Sequence, residues 1–596
     1  MASPYYNASS SSPVVQGVLV NNNNNNNNNN KIYDHKHANH GIGAMETEIS
    51  PHRNPLNPNN GGEDGGGDWI KGEAQPRRCN DVAFAILFYV HLGVMTWCAA
   101  VFGSRMYSEV AESAMNGGDG GGRERELGSG DTEYYGSETV ETVSEWVAES
   151  GVMAWMVESA YNLISSVASF AANHSSSSSS ENGGRALQEE EESNYGTTDI
   201  RDMMVLLVIS TLIALVVSTM ALSVLIRHAQ FLIKFALLFN IAATALFAIG
   251  SLFLSPFAAL MGTVMFVITV YYAYVVWGRI PFAACNLETA TTAVKSNLGL
   301  AFFAYSSLFV MVGWSALWTV SFVSTMYVTC GCDGQAQCEK DPSEALAFFM
   351  LLSYYWTFYV ISNVIHVTVA GTVGTWWFVP SEGSSCCSNG VRDSFVRSVT
   401  TSFGSICFGS LLVAILEASK QMIKNLRESE DGGGVLLCLA ECLLACLQDI
   451  MEYFNKWAFV FVGLYGYTFV ESGKNVLNLF KTRGWTTIIT DTLANSVLGM
   501  LSAAVGLITG LVALAIAQIQ GMVFGDELGA SAAAFFIGFV VGTVLTSTLM
   551  TLVSSAVNTV IVCYAEAPRE FQENHPKLAE DMRTTWRQFW PSEFYY

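Results

Sequence analysis

Residues 351–378 read LLSYYWTFYVISNVIHVTVAGTVGTWWF. The stretch is long enough and apolar enough to cross a bilayer as a helix. It nevertheless carries Tyr355, Trp356, Tyr359, Asn363, His366, Gly371, Gly374, Trp376 and Trp377, where lipid favours aliphatic side chains. At helical spacing Tyr355, Tyr359, Ser362, His366, Ala370, Val373 and Trp377 fall on one stripe, with Trp356, Asn363 and Gly374 on the next. A helix of this kind handles something polar inside the membrane, either a solute or a neighbouring helix.

The rest of the chain fits that setting. Of 596 residues 51% are hydrophobic and only 13% charged, against about 25% charged in ordinary soluble proteins. The expected fold class is an all-α polytopic membrane protein. Ten apolar runs are candidate spans: 82–102, 203–226, 231–254, 257–277, 298–328, 345–378, 395–418, 458–470 with its flanks, 488–519 and 533–564. The first must serve as the membrane entry signal, because no basic-then-apolar signal peptide is read ahead of it.

Lys and Arg in the short loops orient the spans. Lys71, Arg77, Arg78, Arg227, Lys234, Arg279, Lys295, Arg392 and Arg397 all fall on one side, expected to be the cytoplasm, and both termini join them. Lys420, Lys424, Arg427 and Lys456 break the pattern. Either that segment tolerates the exception, or the seventh and eighth runs are re-entrant and eight full spans remain.

Three expected regions follow. Residues 1–70 form an Asn- and Gly-rich disordered tail with ten consecutive Asn at Asn21–Asn30, residues 71–566 the transmembrane domain, and residues 567–596 a cytoplasmic tail. Within the domain, residues 103–200 hold 18 acidic and 4 basic residues and read as a solvated outer loop. That one segment accounts for most of the net charge of −22, so no basic partner or nucleic acid is implied. Asn173-His174-Ser175 in this loop is a glycosylation sequon.

Cys330, Cys332 and Cys338 share an expected outer loop, where Cys330 or Cys332 pairs with Cys338. Cys438, Cys442 and Cys446 recur on one helical face and read as packing residues or a palmitoylation site; no metal set accompanies them. Small residues four apart, Ser405 with Gly409, Gly506 with Gly510 and Gly538 with Gly542, permit close helix approach. Gly371 and Gly374 suit either packing or a hinge.

Several motifs resemble the choline transporter-like family, of the solute carrier family 44 type. They are Arg78-Cys79-Asn80-Asp81 running into Phe84–Phe88, Asn363–Gly371 with Trp376-Trp377-Phe378, Ser402–Leu411, Asn455–Ala458 with Tyr465-Gly466, Ser472–Asn475 and Cys563–Glu566. They are collinear from Arg78 to Glu566; Asn80 and Glu417 depart from the residues expected there. The resemblance implies ten spans, cytoplasmic ends, a glycosylated first outer loop, a plasma-membrane setting, and choline or a related aminoalcohol as solute.

A quaternary ammonium has no N–H to donate, so aromatic faces hold it, each for about 0.5–2 kcal/mol. The candidate cage is Tyr355, Trp356, Tyr359, Asn363, His366 and Trp377, with Glu417 and Tyr465 as partners from the seventh and eighth spans. Each has a plainer reading. Trp376 and Trp377, like Tyr271, Tyr272, Tyr274 and Trp277, suit an interfacial belt. Glu417 lies beside Lys420, and His366 suits a bond to another helix as well as a proton coupling. A transporter working by alternating access is expected, with another solute or an ion channel as the alternative. No channel-like charged ring, GxSxG frame or phosphate loop points to conduction, catalysis or a nucleotide, and no cofactor is expected.

Overall fold

The computed structural model describes residues 79–116, 186–253, 255–331, 340, 343–381, 389–429, 435–483, 485–520 and 527–589, and among these the regular elements are helices alone. The Asn-rich tail, most of the acidic loop, Asn173 and Cys338 lie outside the described residues. The helices are α1 (Val82–Asn116), α2 (Ala186–Ser251), α3 (Pro256–Val276), α4 (Ile280–Ser296), α5 (Gly299–Cys330), α6 (Glu344–Phe378) and α7 (Asn389–Val399). There follow α8 (Phe403–Ser429), α9 (Val435–Tyr465), α10 (Phe469–Arg483), α11 (Trp485–Gln520), α12 (Glu527–Glu566), α13 (Pro568–Asn574) and α14 (Pro576–Phe589).

Among the described residues, eight helices are long and apolar enough to cross a membrane. The expected count of ten is not reproduced, because two runs share one helix and another falls in a helix too polar to count, while a third local difference leaves the count unchanged. The run 203–226 and residues 231–251 of the next run lie in the single element α2, interrupted at His228, whose φ of −132° and ψ of 27° leave the helical region. With 66 residues at 1.5 Å each, α2 would be roughly 99 Å long if straight, so that break divides two arms each long enough to span. The run 395–418 is divided where α7 ends at Val399 and α8 begins at Phe403. The run 458–470 is the last part of α9, which stops at Tyr465 because Gly466 takes a left-handed φ of 65°.

Helix α9 is not apolar enough to count among the eight because it carries Glu441, Asp449, Glu452 and Lys456. It pairs with α8 in antiparallel fashion along its length. Arg427 meets Glu441 at 2.8 Å, Lys420 donates to Gln448 Oε1 at 2.7 Å, and Asn455 Nδ2 donates to the Gly409 carbonyl at 2.6 Å. Helix α6 packs against α8 in turn, with Trp356 Nε1 donating to the Cys407 carbonyl and Asn363 Nδ2 to Ser410 Oγ.

Helix α12 is enclosed on every side near its end. Val553, Ala556, Val557, Val560, Ile561, Val562 and Cys563 are all buried, the pattern of a helix at the centre of a bundle. Its first half lies against α11 through small residues. A Cβ on Gly538 would sit 2.5 Å from the Ala513 Cβ, and one on Gly542 3.0 Å from the Gly506 Cα; Gly510 approaches the Phe535 carbonyl as closely. Such contacts let two backbones meet without side chains between them. Outward faces carry large apolar groups such as Phe253 and Phe309, as a lipid-facing bundle requires.

The tail is part of this bundle. Trp377 stacks on Phe571 of α13 with ring centres 3.9 Å apart and planes 11° apart, and Trp376 stacks on His575 at 4.0 Å. Asn574 Nδ2 donates to the carbonyls of Trp377 and Phe378, and His575 Nε2 to that of Trp376, each at 3.0 Å. These are carbonyls at the end of α6 that the helix itself leaves without donors.

Candidate functional site

The stripe of α6 that includes Tyr355, Tyr359, Asn363 and His366 is partly open, whereas Trp356 is buried. Tyr355 and Tyr359 lie within electrostatic reach of the Glu417 carboxylate of α8, and Tyr359 also of Glu452 of α9. Tyr359 is hydrogen-bonded to Gln448, which itself accepts from Lys420. Lys420 Nζ also lies 3.0 Å from Glu417 Oε2.

All four of Tyr359, Glu417, Gln448 and Glu452 sit near the middle of their helices. Glu452 is exposed there, and an exposed carboxylate at mid-helix needs a wet cavity rather than hydrocarbon beside it. Glu417, Glu452 and the neighbouring Asp449 lie near two ammoniums, Lys420 and Lys456, and Lys456 is already paired with Asp491, so acids outnumber free ammoniums beside Tyr355 and Tyr359. This is the combination that a desolvated organic cation needs.

Deeper along the same stripe His366 joins three helices. Its Nε2 is 2.8 Å from the Lys456 carbonyl, which can only accept, so that nitrogen carries the hydrogen. In the neutral ring Nδ1 then accepts from Ser555 Oγ at 2.6 Å. Lys456 extends the network: its Nζ lies 2.9 and 3.0 Å from the two oxygens of Asp491, to which Asn495 Nδ2 also donates. Asn495 in turn accepts from Ser554. The chain of bonds therefore ties α6, α9, α11 and α12 together at one level.

Other residues expected at the site stand elsewhere. Trp356 has its indole N–H on the Cys407 carbonyl and its ring beside Phe88 and His91, whose Nε2 lies 2.6 Å from Ser353 Oγ. Trp377 is wholly enclosed with its indole N–H on the Ala567 carbonyl, so it is neither in the Tyr355 cluster nor in a lipid-facing belt. Tyr465 donates to Glu566 at 2.6 Å, at the same end of the bundle as Trp377.

The expected hinge and packing residues are in close contacts. A Cβ on Gly374 would meet Leu464, one on Gly371 would meet Ser394, and one on Gly409 would meet Phe459 and Phe469. Ser405 donates to Asp81 at 2.6 Å, and the same carboxylate oxygen accepts from the Phe469 backbone N–H, the first of α10. Asp81 thus ties the entry to α1 to both α8 and α10, and Asn80 adds a bond to the Gly466 carbonyl. Cys330 is described, but its expected partner Cys338 is not.

Gln448, Glu452, the pairing of Lys456 with Asp491 and the contact of the Trp pair with the tail carry no motif in the sequence. Lys456 was visible as an exception to the charge pattern, and Asp491 is an acid at the start of an apolar run. Together they were a usable signal of charges paired across helices.

A sequence model of the family described as Plasma-membrane choline transporter matches residues 260–569, just over half of the chain. The chain belongs to that family. Among curated relatives, Protein PNS1 of Mycosarcoma maydis is 30% identical over 341 residues, covering 56% of this chain and 64% of the relative. A CTL-like protein of Dictyostelium discoideum is 28% identical over 370 residues, covering 60% and 62%, and Protein PNS1 of Debaryomyces hansenii is 27% identical over 323 residues, covering 52% and 63%. The chain thus spans a little under two thirds of the length of these relatives. The part that matches the choline transporter family contains the Tyr355, Glu417 and Glu452 cluster and the His366 network, and it ends within α13. As a member of this family with eight helices fit to span, the chain is a multi-pass membrane protein.

Proposed function

We propose that this chain moves choline or a related aminoalcohol or organic cation across the bilayer by alternating access. The observation that carries this reading is that Tyr355 and Tyr359 lie within electrostatic reach of Glu417, and Tyr359 also of Glu452, at mid-helix. Two ring faces take the quaternary ammonium, and the carboxylates balance its charge.

Lys420 supplies a switch. Its ammonium holds Glu417 at 3.0 Å and Gln448 at 2.7 Å. An arriving cation displaces Lys420 from Glu417, a contact within α8, and the shift of the lysine that follows loosens its bond to Gln448, the tie between α8 and α9. A solute moves a conformational equilibrium only through such differential contacts. Asn363 and His366 continue the stripe towards the other end of α6, while Trp356, Trp377 and Tyr465 hold helices in place. The same proposal takes in a plasma-membrane setting, in keeping with the family's description, cytoplasmic termini, and a transmembrane domain running from residue 71 to 566.

The test is saturable uptake of labelled choline by transporter-deficient cells that express the chain at the surface. Uptake that Glu417→Gln weakens supports the reading. Absence of uptake from the surface-expressed chain refutes choline as the solute.

A further inference from the structure

A cavity lies at the break in α2, and none of the Tyr355 cluster lines it. Its volume is about 450 Å³, and it is lined by Ile226–Phe231 of α2, by Pro281, Ala284, Cys285 and Glu288 of α4, and by Asp581, Thr584 and Thr585 of α14. Its walls carry opposite charges. Arg227 and His228 stand on one, and Glu288 and Asp581 on the other, close enough for the two acids to act on each other. Among the described residues, neither the Arg227 guanidinium nor the Glu288 carboxylate has an ion-pair partner, so both walls remain available.

The cavity opens onto an apolar track. Phe231, one of its lining residues, is followed by Phe235 and Phe239 on the same face of α2, with ring centres 6.2 and 6.5 Å apart along the ladder. The three rings are 65%, 48% and 55% exposed, as groups in contact with hydrocarbon are. A molecule with a phosphate, an ammonium and an acyl chain matches this sequence of features from cavity to track.

We propose that this cavity binds the head group of a zwitterionic phospholipid with a primary amine, of the phosphatidylethanolamine type, with an acyl chain along Phe231, Phe235 and Phe239. Arg227 takes the phosphate, a geometry for which guanidinium is suited. Glu288, Asp581 and the Thr584 and Thr585 hydroxyls accept from the ammonium. A quaternary ammonium would leave these acceptors without N–H donors, and Phe231 is the one Phe, Tyr or Trp among the lining residues, so a choline head group fits less well.

The test is native mass spectrometry of the full chain released from nanodiscs that hold equal parts of phosphatidylethanolamine, phosphatidylcholine and phosphatidylglycerol. The expected result is retained phosphatidylethanolamine, reduced about tenfold by Arg227→Ala and by the separate variant Asp581→Asn, each checked for unchanged thermal unfolding. Equal retention of the three lipids, preference for phosphatidylglycerol, or unchanged retention in both variants overturns the proposal. Displacement of the lipid by water-soluble glycerophosphoethanolamine at equal concentration overturns the lipid and leaves a solute site.

Discussion

Lys456 of α9 and Asp491 of α11 form a two-pronged ion pair inside the bundle, Nζ lying 2.9 and 3.0 Å from the two carboxylate oxygens. The Asp491 side chain is 3% exposed and that of Lys456 24%, so the pair keeps a little contact with solvent on the lysine side. Removing one member of such a pair strands the other. Asp491→Asn is expected to destabilise the protein by about 3 kcal/mol, the low end for a buried pair because Lys456 is not fully enclosed. Thermal unfolding in detergent measures this, and the double change Lys456→Met with Asp491→Leu should recover most of the loss. An Asp491→Asn protein as stable as the wild type would contradict the assignment.

Tyr359 and Trp377 should separate in transport assays, although both are aromatic residues of α6. Tyr359→Ala removes one ring face from the proposed cation site and should raise the apparent KM for choline by about 2-fold to 30-fold, the range of a single cation–π contact. Trp377→Ala should lower the amount of folded protein and leave KM unchanged, since its ring faces Phe571. Equal KM shifts in the two variants would place both at the site and refute the division.

The tail should come loose when that stack is broken. Phe571→Ala removes a wholly enclosed ring, and core Phe→Ala changes cost about 3–5 kcal/mol. Limited trypsin digestion at Arg583 and Arg587 of α14 is then expected to accelerate well beyond the wild-type rate, while the membrane-embedded helices stay intact. Unchanged cleavage kinetics would mean that the stack does not hold α13 and α14.

Two glycines of the α11 and α12 pair offer opposite outcomes. Gly538→Val places side-chain atoms against Ala513 and the Thr509 carbonyl and should separate the helices, with a marked loss of thermal stability. Gly499→Ala, on α11 where a Cβ meets nothing within 4 Å, should cost nothing. Comparable losses in both would show that the close approach at Gly538 is not what holds this pair together, since helix propensity alone favours both replacements over glycine.

The boundaries of α6 were legible because 345–378 is one unbroken apolar run between a polar loop and Pro380, and the helix occupies Glu344–Phe378. Helix α9 was not, because Glu441, Asp449, Glu452 and Lys456 dilute its hydropathy. What makes two of those charges tolerable is Arg427 on α8 and Asp491 on α11, partners that distance along the chain conceals. Helix α4 was read as a loop between spans; its 17 residues are mostly buried, and contacts such as Phe282 with Trp586 come from the far end of the chain. Within the candidate site, helical spacing found Tyr355, Tyr359 and His366 because all lie on one helix. It grouped Trp377 with them because spacing along a face says nothing of which neighbour covers each turn.

The carbonyls that end α6 receive their donors from Asn574 and His575, nearly two hundred residues later. At ribosomal rates of about 5–20 residues per second, α6 waits roughly 10–40 seconds after its own synthesis before these donors exist. A chain that stops early leaves that end open and the Trp376 and Trp377 rings uncovered, where quality-control machinery can recognise them. The docked α13 therefore marks a chain that has been translated past His575, and only such a copy can hide this signal.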